Sequence, residues 1–189
     1  MFHENVLRSP LRCAGTYRTF FRAAVALAPC LLLARQLQTV DRVPRVGDLA
    51  LPLTSEAIVQ GHLENPSPGR AMLLEFWAAS CGPCVAATGH LNELADRFAG
   101  RPIDFVYVNT YESLETIRSF LKVHPIKGVV LADNSEALTN AYGIQAIPVT
   151  VLIFPSGRVA AIGHPNQITP DVLNRLLANE TRHVSTQRI

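Results

Sequence analysis

Residues 73–84 constrain the fold more strongly than any other part of the chain. Their sequence, Leu-Leu-Glu-Phe-Trp-Ala-Ala-Ser-Cys-Gly-Pro-Cys, begins with the apolar and aromatic residues typical of a strand and ends in two cysteines separated by two residues. Helix-compatible sequence follows at once. This order predicts a strand that delivers a pair of thiols to the first turn of a helix.

Cys81 and Cys84 would then lie where that helix begins. A helix start has unpaired backbone N–H groups and the positive end of the helix dipole. Both stabilise a thiolate at Cys81, and the thiolate is the reactive form of cysteine. Pro83 fits the first turn, because its missing N–H is not needed there. Cys84, one turn inside, is placed to attack a mixed disulfide on Cys81 and release the substrate.

Two other interpretations of the C-x-x-C pair are half of a zinc site and a pair of inert core cysteines. Zinc takes about four N or S ligands, but the chain has no second C-x-x-C, and Cys13 and Cys30 lie far upstream. His90, His124 and His164 show no ligand spacing. A redox dithiol is the favoured interpretation. No metal is predicted, and no other cofactor, since no G-x-G-x-x-G motif follows a strand.

Several motifs resemble the thioredoxin superfamily. Residues 76–84, Phe-Trp-Ala-x-x-Cys-Gly-Pro-Cys, resemble its active-site segment, and Ile-Pro-Val-Thr at 147–150 resembles its cis-proline loop. Ala-Tyr-Gly-Ile at 141–144 and Pro-Ser-Gly-Arg at 155–158 are similar to the membrane-anchored, extracytoplasmic TlpA/ResA branch. The resemblance covers about residues 46–178. It implies an α/β thioredoxin fold: a central mixed β-sheet flanked by helices on both faces, with a strand-helix insert before the cis-proline loop.

The resemblance also implies how substrate is held. In the family the cis-proline loop stacks against the dithiol, and its backbone pairs with an extended substrate. We therefore expect a cis peptide bond before the proline of this loop. The expected substrate-binding residues are Trp77, Gly82, Pro83, Ile147 and Pro148.

Glu75 interrupts an otherwise apolar strand, six residues before Cys81. A solvent-facing or edge carboxylate is the alternative, but the surrounding Leu, Phe and Trp side chains favour burial. Burial raises the pKa of a carboxyl, and we expect Glu75 to accept the Cys84 proton as a general base. Thioredoxins carry an acidic residue at this position, so the resemblance implies the same role.

Residues 1–45 differ in character from the rest. They hold seven arginines against two acidic residues, while the whole chain carries a net charge of +2, so the remainder is slightly acidic. A domain without a basic patch is not expected to bind nucleic acid. A positive flank followed by the apolar run at 23–34 is typical of a secretory signal or signal anchor, although twelve helical residues span only about 18 Å of a ~30 Å hydrocarbon core.

The expected organisation is a leader with a signal or anchor segment and linker at 1–45, a thioredoxin-like domain at 46–180 and a polar tail at 181–189. The protein is expected outside the cytoplasm, in the periplasm or on the outer face of the cytoplasmic membrane, attached through the leader. Whether the leader is cleaved, lipidated or retained stays open. Leu-Ala-Pro-Cys at 27–30 resembles a lipobox except for its proline.

Local patterns predict the individual elements. A short edge strand is expected at 49–53, and Thr54 or Ser55 is expected to cap a short helix that ends at Leu63. Further strands are predicted at 71–78, 103–108, 128–131, 149–154 and 159–162. Further helices are predicted at 81–99, 113–124, 133–143 and from 169 onwards.

The chain departs from the TlpA/ResA pattern at two positions. Many members carry a glutamate three residues after the second cysteine, where this chain has Ala87, so more of the acid–base task is expected to fall on the strand glutamate. Ser80 replaces a frequent tryptophan, which leaves the surface beside Cys81 more open and polar. The dipeptide Gly82-Pro83 is associated with reducing members, although the potential depends on how each redox state is stabilised.

The resulting expectation is a thiol-disulfide oxidoreductase that reduces disulfides of proteins or small molecules through a mixed disulfide on Cys81. Electrons would come from an upstream dithiol partner. The alternatives are net oxidation of exported proteins, a copper-binding redox chaperone that uses the soft thiolates, and a non-enzymatic module whose dithiol is structural.

Overall fold

The structure is a computed structural model that describes residues 42–53, 57–63 and 69–186, with side chains described as far as residue 178. Residues 1–41 of the predicted leader, including its apolar run at 23–34, lie outside the described residues, as do Thr54 and Ser55. The described residues belong to one compact unit that begins at Arg42. Within them, no helix has both the length and the apolarity needed to cross a membrane.

The strands are β1 (Ala57–Gln60), β2 (Ala71–Trp77), β3 (Ile103–Thr110), β4 (Val129–Asp133), β5 (Val149–Ile153) and β6 (Val159–Gly163). They form one mixed sheet in the order β1-β4-β3-β2-β5-β6. β2 lies in the middle, parallel to β3 and antiparallel to β5. β3 and β4 are parallel, and β1 and β6 pair antiparallel at the two edges. The strand that carries the dithiol therefore has a hydrogen-bonded neighbour on each side.

The helices are α1 (Gly82–Arg97), α2 (Leu114–Val123), α3 (Ala137–Ala141) and α4 (Pro170–Thr186), with a 3-10 turn at Pro165–Gln167. One apolar cluster joins α1, α2 and α4 to a face of the sheet through Leu91, Ile117 and Leu173. On the other face α3 packs through Leu138, next to Tyr142. The predicted mixed sheet with helices on both faces is confirmed, and β4 with α3 forms the strand-helix insert before the cis-proline loop.

All seven residues of β2 are buried. Successive side chains of a strand point to opposite faces, so Leu73 and Trp77 join the cluster under α1, whereas Leu74 and Phe76 join the cluster under α3. A strand covered on both faces has a nearly continuous apolar sequence. This explains why Glu75, in the middle of that run, is removed from water.

The N-terminal part of the domain differs from the prediction. Residues 49–53 form no strand and make a single bridge between Leu49 and Arg158. β1 occupies residues 57–60, where a helix was predicted. Ile58 and Val59 are β-branched and favour extended backbone, and β1 pairs with the otherwise open edge of β4. Pairing with this sheet edge gives residues 57–60 inter-strand hydrogen bonds that a short helix would not make with β4.

The other elements agree with the predicted ones within a few residues, and two details were not anticipated. The helix predicted at 133–143 is shorter, Ala137–Ala141. The last helix, α4, continues to Thr186, past residue 180 at which the sequence pattern places the domain end. The position of that boundary stays a prediction.

Candidate active site

Cys81 lies at the junction between β2 and α1. It caps the N-terminus of α1 with extended backbone angles (φ −88°, ψ 100°), and its Sγ accepts a hydrogen bond of 3.2 Å from the backbone N–H of Cys84. Pro83 lies in the first turn, which contains no acidic residue. The predicted strand–thiol–helix junction is therefore present, with Sγ at the positive end of the helix dipole.

The two sulfur atoms form a disulfide bond of 2.03 Å. They differ in access to solvent. Cys81 is half-buried and followed by the exposed Gly82 and Pro83, whereas Cys84 is 3% exposed. A molecule that approaches from solvent therefore meets Cys81 before Cys84.

The cis-proline loop borders Cys81. The peptide bond between Ile147 and Pro148 is cis, as predicted. The carbonyl oxygen of Ile147 lies 3.9 Å from the Sγ of Cys81, and the loop residues are half-buried. A substrate linked to Cys81 would lie against this loop, where extended backbone can pair with it.

Glu75 is buried in the centre of the sheet, with 2% of its surface exposed. Its cross-strand neighbours are Tyr107 on β3 and Thr150 on β5. Burial raises the pKa of Glu75 to about 8, although the Thr150 hydroxyl, which donates a hydrogen bond to the carboxylate, opposes the shift. Burial, with a smaller effect of the nearby Glu75, also raises the pKa of Tyr107. At pH 7 the carboxyl of Glu75 is mostly protonated, and a minor fraction is ionised.

Glu75 and Cys84 lie on the same side of the sheet. Side chains two positions apart in a strand share a face. Leu73 and Trp77, on either side of Glu75, pack in one apolar cluster with Cys84. The buried sulfur and the buried carboxyl therefore share a water-poor region beneath α1.

Trp77 lies beneath the site, unlike the four other residues predicted to contact substrate. It is 2% exposed, and its ring packs against Phe120 of α2 with centroids 5.1 Å apart. The indole N–H is buried without a partner among the described residues. Its contact with substrate stays a prediction, and in this structure the ring packs in the core between β2 and α2.

Glu112, in the loop between β3 and α2, is a site residue that the sequence interpretation missed. It is 8% exposed. Its carboxylate accepts hydrogen bonds from the backbone N–H groups of Ala79 (2.7 Å) and Ser80 (2.9 Å), from the Ser80 hydroxyl (2.8 Å) and from the Asn109 amide (2.7 Å). Burial alone would raise the pKa of Glu112, but these hydrogen bonds hold it below the usual value. The available signal was an acidic residue just past the strand beside β2.

A candidate metal site would need several ligands together. In the described part of the chain, no three His, Cys, Asp or Glu side chains are grouped as metal ligands. The two sulfurs are the soft donors at this site, and they are bonded to each other.

The domain that carries the dithiol matches a known protein family. Residues 40–177 match the Redoxin family. The chain belongs to this family. The matched range contains the dithiol, Glu75, Glu112 and the cis-proline loop, so every group described above lies within it.

Curated relatives of this Redoxin-family chain carry the name thiol-disulfide oxidoreductase ResA. The protein of Halalkalibacterium halodurans is 25% identical over 134 residues, which cover 70% of this chain and 76% of the relative. The protein of Bacillus subtilis is 28% identical over 94 residues, about half of each chain at 50% and 52%. With the bonded pair of cysteines, these matches identify the chain as a thiol-disulfide oxidoreductase of the ResA-like type.

Solved structures share the fold. A thiol:disulfide interchange protein of the thioredoxin family from Chlorobium tepidum has a TM-score of 0.58 at 23% identity, covering 70% of this chain and 95% of that one. The thioredoxin domain of a thiol-disulfide oxidoreductase from Bacteroides vulgatus has a TM-score of 0.57 at 19% identity, covering 74% and 97%. These likenesses confirm the predicted thioredoxin fold.

Proposed function

We propose that this oxidoreductase works in the reducing direction, with Cys81 as the nucleophile and Cys84 as the resolving thiol. The observation that carries the assignment of roles is the unequal access of the two sulfurs: Cys81 borders solvent at a helix start, and Cys84 is enclosed. The dipeptide Gly82-Pro83 between them supports the reducing direction.

In the first step, the Cys81 thiolate attacks one sulfur of the substrate disulfide. A new S–S bond forms to Cys81, the substrate S–S bond breaks, and the second substrate sulfur leaves as a thiolate. The Cys84 backbone N–H and the dipole of α1 stabilise the attacking thiolate. Ile147 and Pro148 hold the substrate beside the mixed disulfide.

In the second step, Cys84 gives its proton to the Glu75 carboxylate and attacks the Sγ of Cys81. The bond between Cys81 and Cys84 forms, the bond to the substrate breaks, and the substrate leaves with two electrons more than it had. Glu75 is then protonated, as its pKa of about 8 favours at pH 7 in the disulfide form. When an upstream dithiol reduces the disulfide, Glu75 returns the proton to the departing Cys84 sulfur.

We also propose that the domain works outside the cytoplasm and is attached through residues 1–45. The arginine-bearing flank and the apolar run at 23–34 support this placement. The natural partners are a disulfide substrate and a dithiol donor, with no nucleic acid. Protease treatment of cells that express the full chain, with the cytoplasmic membrane intact or permeabilised, tests this location. We expect the protease to digest the domain while the cytoplasmic membrane is intact. Protection of the domain until that membrane is permeabilised would contradict the proposal.

The reducing activity is tested with insulin disulfides and a thiol donor, in the wild type and in Cys81→Ser and Cys84→Ser. We expect turnover by the wild type, none by Cys81→Ser, and a trapped mixed disulfide on Cys81 in Cys84→Ser. A dithiol potential nearer ~−270 mV than ~−120 mV supports reduction over oxidation. Stoichiometric retention of Cu(I) with no insulin turnover would instead indicate a copper chaperone, and unchanged activity in Cys81→Ser would indicate a structural dithiol.

A further inference from the structure

The loop after β3 is tied to the two residues that precede Cys81. Each oxygen of the Glu112 carboxylate accepts two hydrogen bonds: Oε1 from the backbone N–H and hydroxyl of Ser80, and Oε2 from the backbone N–H of Ala79 and the side-chain amide of Asn109. All four partners are donors. A glutamine at this position would turn its own N–H groups toward two of them, so the arrangement selects a carboxylate.

The same carboxylate is a buried charge close to the reactive sulfur. No salt bridge joins Glu112 to a cation among the described residues, and its hydrogen bonds favour the ionised form. Oε1 lies 2.9 Å from the backbone nitrogen of Ser80, and Cys81 is the next residue. The covalent path limits the distance from this oxygen to the Cys81 sulfur to about 11 Å. A negative charge at that distance disfavours a thiolate on Cys81.

The Asn134 side chain further anchors this loop, because it donates a hydrogen bond to the backbone carbonyl of Glu112. Tyr111, immediately before Glu112, has a positive φ of 50° and is half-exposed. Its hydroxyl lies 3.3 Å from the Ser80 hydroxyl. A residue held in this left-handed region requires surrounding contacts that fix it. The carboxylate therefore occupies a defined position relative to the turn at Ala79 and Ser80.

We propose that Glu112 is a positioning residue for the dithiol: it fixes the Ala79–Ser80 turn that presents Cys81, and its negative charge makes the reduced dithiol a stronger reductant. The inference rests on the proposed dithiol chemistry. The disulfide form has no charge on Cys81, whereas the reduced form carries a thiolate. The carboxylate therefore destabilises the reduced form relative to the disulfide.

The test is the redox equilibrium of the purified full chain with reduced and oxidised glutathione, for the wild type, Glu112→Gln and Glu115→Gln. Glu115 is a matched control, since it is an exposed carboxylate three residues away in the first turn of α2. At the limiting distance of about 11 Å and an effective dielectric constant between 20 and 80, the lost repulsion shifts the constant toward the reduced form by about twofold to tenfold, and a shorter distance gives a larger shift. Tenfold corresponds to about 30 mV. Glu115→Gln is expected to match the wild type.

A variant with the opposite expected sign guards against poor folding of Glu112→Gln. Ser80→Ala removes one hydrogen-bond donor to the Glu112 carboxylate. The negative charge of the carboxylate is then less neutralised, so the redox equilibrium shifts toward the disulfide. Ser80 is exposed at the surface, and the change preserves the backbone hydrogen bond. Thermal melting of each variant separates loss of stability from a change of potential.

The outcomes separate the two proposals. A wild type that does not exchange with glutathione overturns the proposed dithiol chemistry. A wild type that exchanges, with Glu112→Gln and Ser80→Ala both at its equilibrium constant, overturns the role of Glu112 alone. An equal shift in Glu112→Asp, which keeps the charge but shortens the side chain, would overturn the electrostatic part and leave only the positioning of the turn.

Discussion

Glu75 and Glu112 are two buried carboxyl groups near one dithiol, and they differ in charge at neutral pH. Glu75 is mostly neutral, whereas Glu112 is ionised. Glu75 lies among apolar side chains and accepts a hydrogen bond from the Thr150 hydroxyl, and burial raises its pKa to about 8. Glu112 is also largely enclosed, but hydrogen bonds from four donor groups lower its pKa. Burial is common to both sites, so the supply of donors decides the charge.

In the proposed mechanism, this difference divides the chemistry between the two sulfurs. A carboxyl that titrates near neutral pH can take up and return a proton, which Cys84 requires when it attacks or leaves. A carboxyl that stays ionised moves no proton at pH 7 and acts through its charge and its hydrogen bonds. The first lies on the side of the buried sulfur, and the second adjoins the turn that presents the outer one.

The largest expected effect is on resolution of the mixed disulfide in Glu75→Gln. Loss of a general base slows such a step by about 10²- to 10⁴-fold. Stopped-flow decay of a preformed mixed disulfide measures it, and the wild-type rate is expected to rise with pH through about 8 as Glu75 ionises. Glu93→Gln, an exposed carboxylate change on α1, is the control. Decay in Glu75→Gln within twofold of the wild-type rate would remove Glu75 from the mechanism.

The second effect is on stability. The pKa of Glu75 is higher in the folded protein, at about 8, than the ordinary 4.5, so the unfolded chain ionises first as the pH rises. Wild-type stability therefore falls between pH 4.5 and 8. Glu75→Gln removes this loss and is expected to be more stable at pH 8 by on the order of 4 kcal/mol. Urea unfolding at pH 5 and at pH 8 checks this, and a gain of equal size at both pH values would contradict it.

Glu112→Gln is expected to act in the opposite sense. Two hydrogen bonds to an ionised group are lost, each contributing roughly 1.5–3 kcal/mol, so the free energy of unfolding at pH 7 should fall by on the order of 3 kcal/mol. Because the folded pKa is lowered, the wild-type advantage is present above the ordinary carboxyl pKa and disappears as the pH falls through the folded value. The same urea series, with Glu115→Gln as the reference, measures it. A constant difference at all pH values would indicate lost packing instead.

Thr150→Val removes the hydrogen-bond donor at Glu75. The ionised carboxylate then loses a hydrogen bond, with a net effect of about 1 kcal/mol, and the pKa of Glu75 rises further. The acceleration of mixed-disulfide resolution should move to higher pH, with the rate at high pH unchanged. An unmoved pH profile would show that Thr150 does not regulate the protonation of Glu75.

The smallest expected effect comes from Gly89→Ala, which lies in the middle of α1 and contacts neither carboxyl. Gly89 is exposed, and an added Cβ would meet no heavy atom within 4 Å. Alanine should stabilise the helix by about 0.5–1 kcal/mol, seen as a uniform rise in urea midpoint at every pH. A change in how the urea midpoint depends on pH would contradict the view that each carboxyl titrates under the control of its own neighbours.

The central part of the site was predictable from sequence because its determinants are local. The apolar run into Cys81, followed by a proline in the first helical turn, specifies the strand–dithiol–helix junction by itself. The burial of Glu75 follows from its apolar neighbours in the same strand. The cis bond at Pro148 came from the family resemblance, since a single X-Pro bond carries a low cis frequency of about 5%.

The remainder depends on neighbours distant in sequence. The pattern at 57–60 does not reveal that β4 offers a free edge, which is why a helix was predicted there. The proposed role of Glu112 requires β2 and β3 to end side by side, and two of its four donors are backbone N–H groups, which residue identity does not reveal. Local patterns therefore located the residues proposed to do the chemistry and missed a carboxylate that is hydrogen-bonded to the turn before Cys81.

The central place of β2 in the sheet has a consequence for the newly made chain. The groups around the dithiol come from the ends of three adjacent strands, and β3 and β5 are about forty residues apart in sequence. Until those strands pair, Glu75 is hydrated and the loop of Glu112 does not reach the turn before Cys81. The proposed proton transfer between Cys84 and Glu75 thus requires the finished sheet, and a ribosome-bound or misfolded copy lacks it.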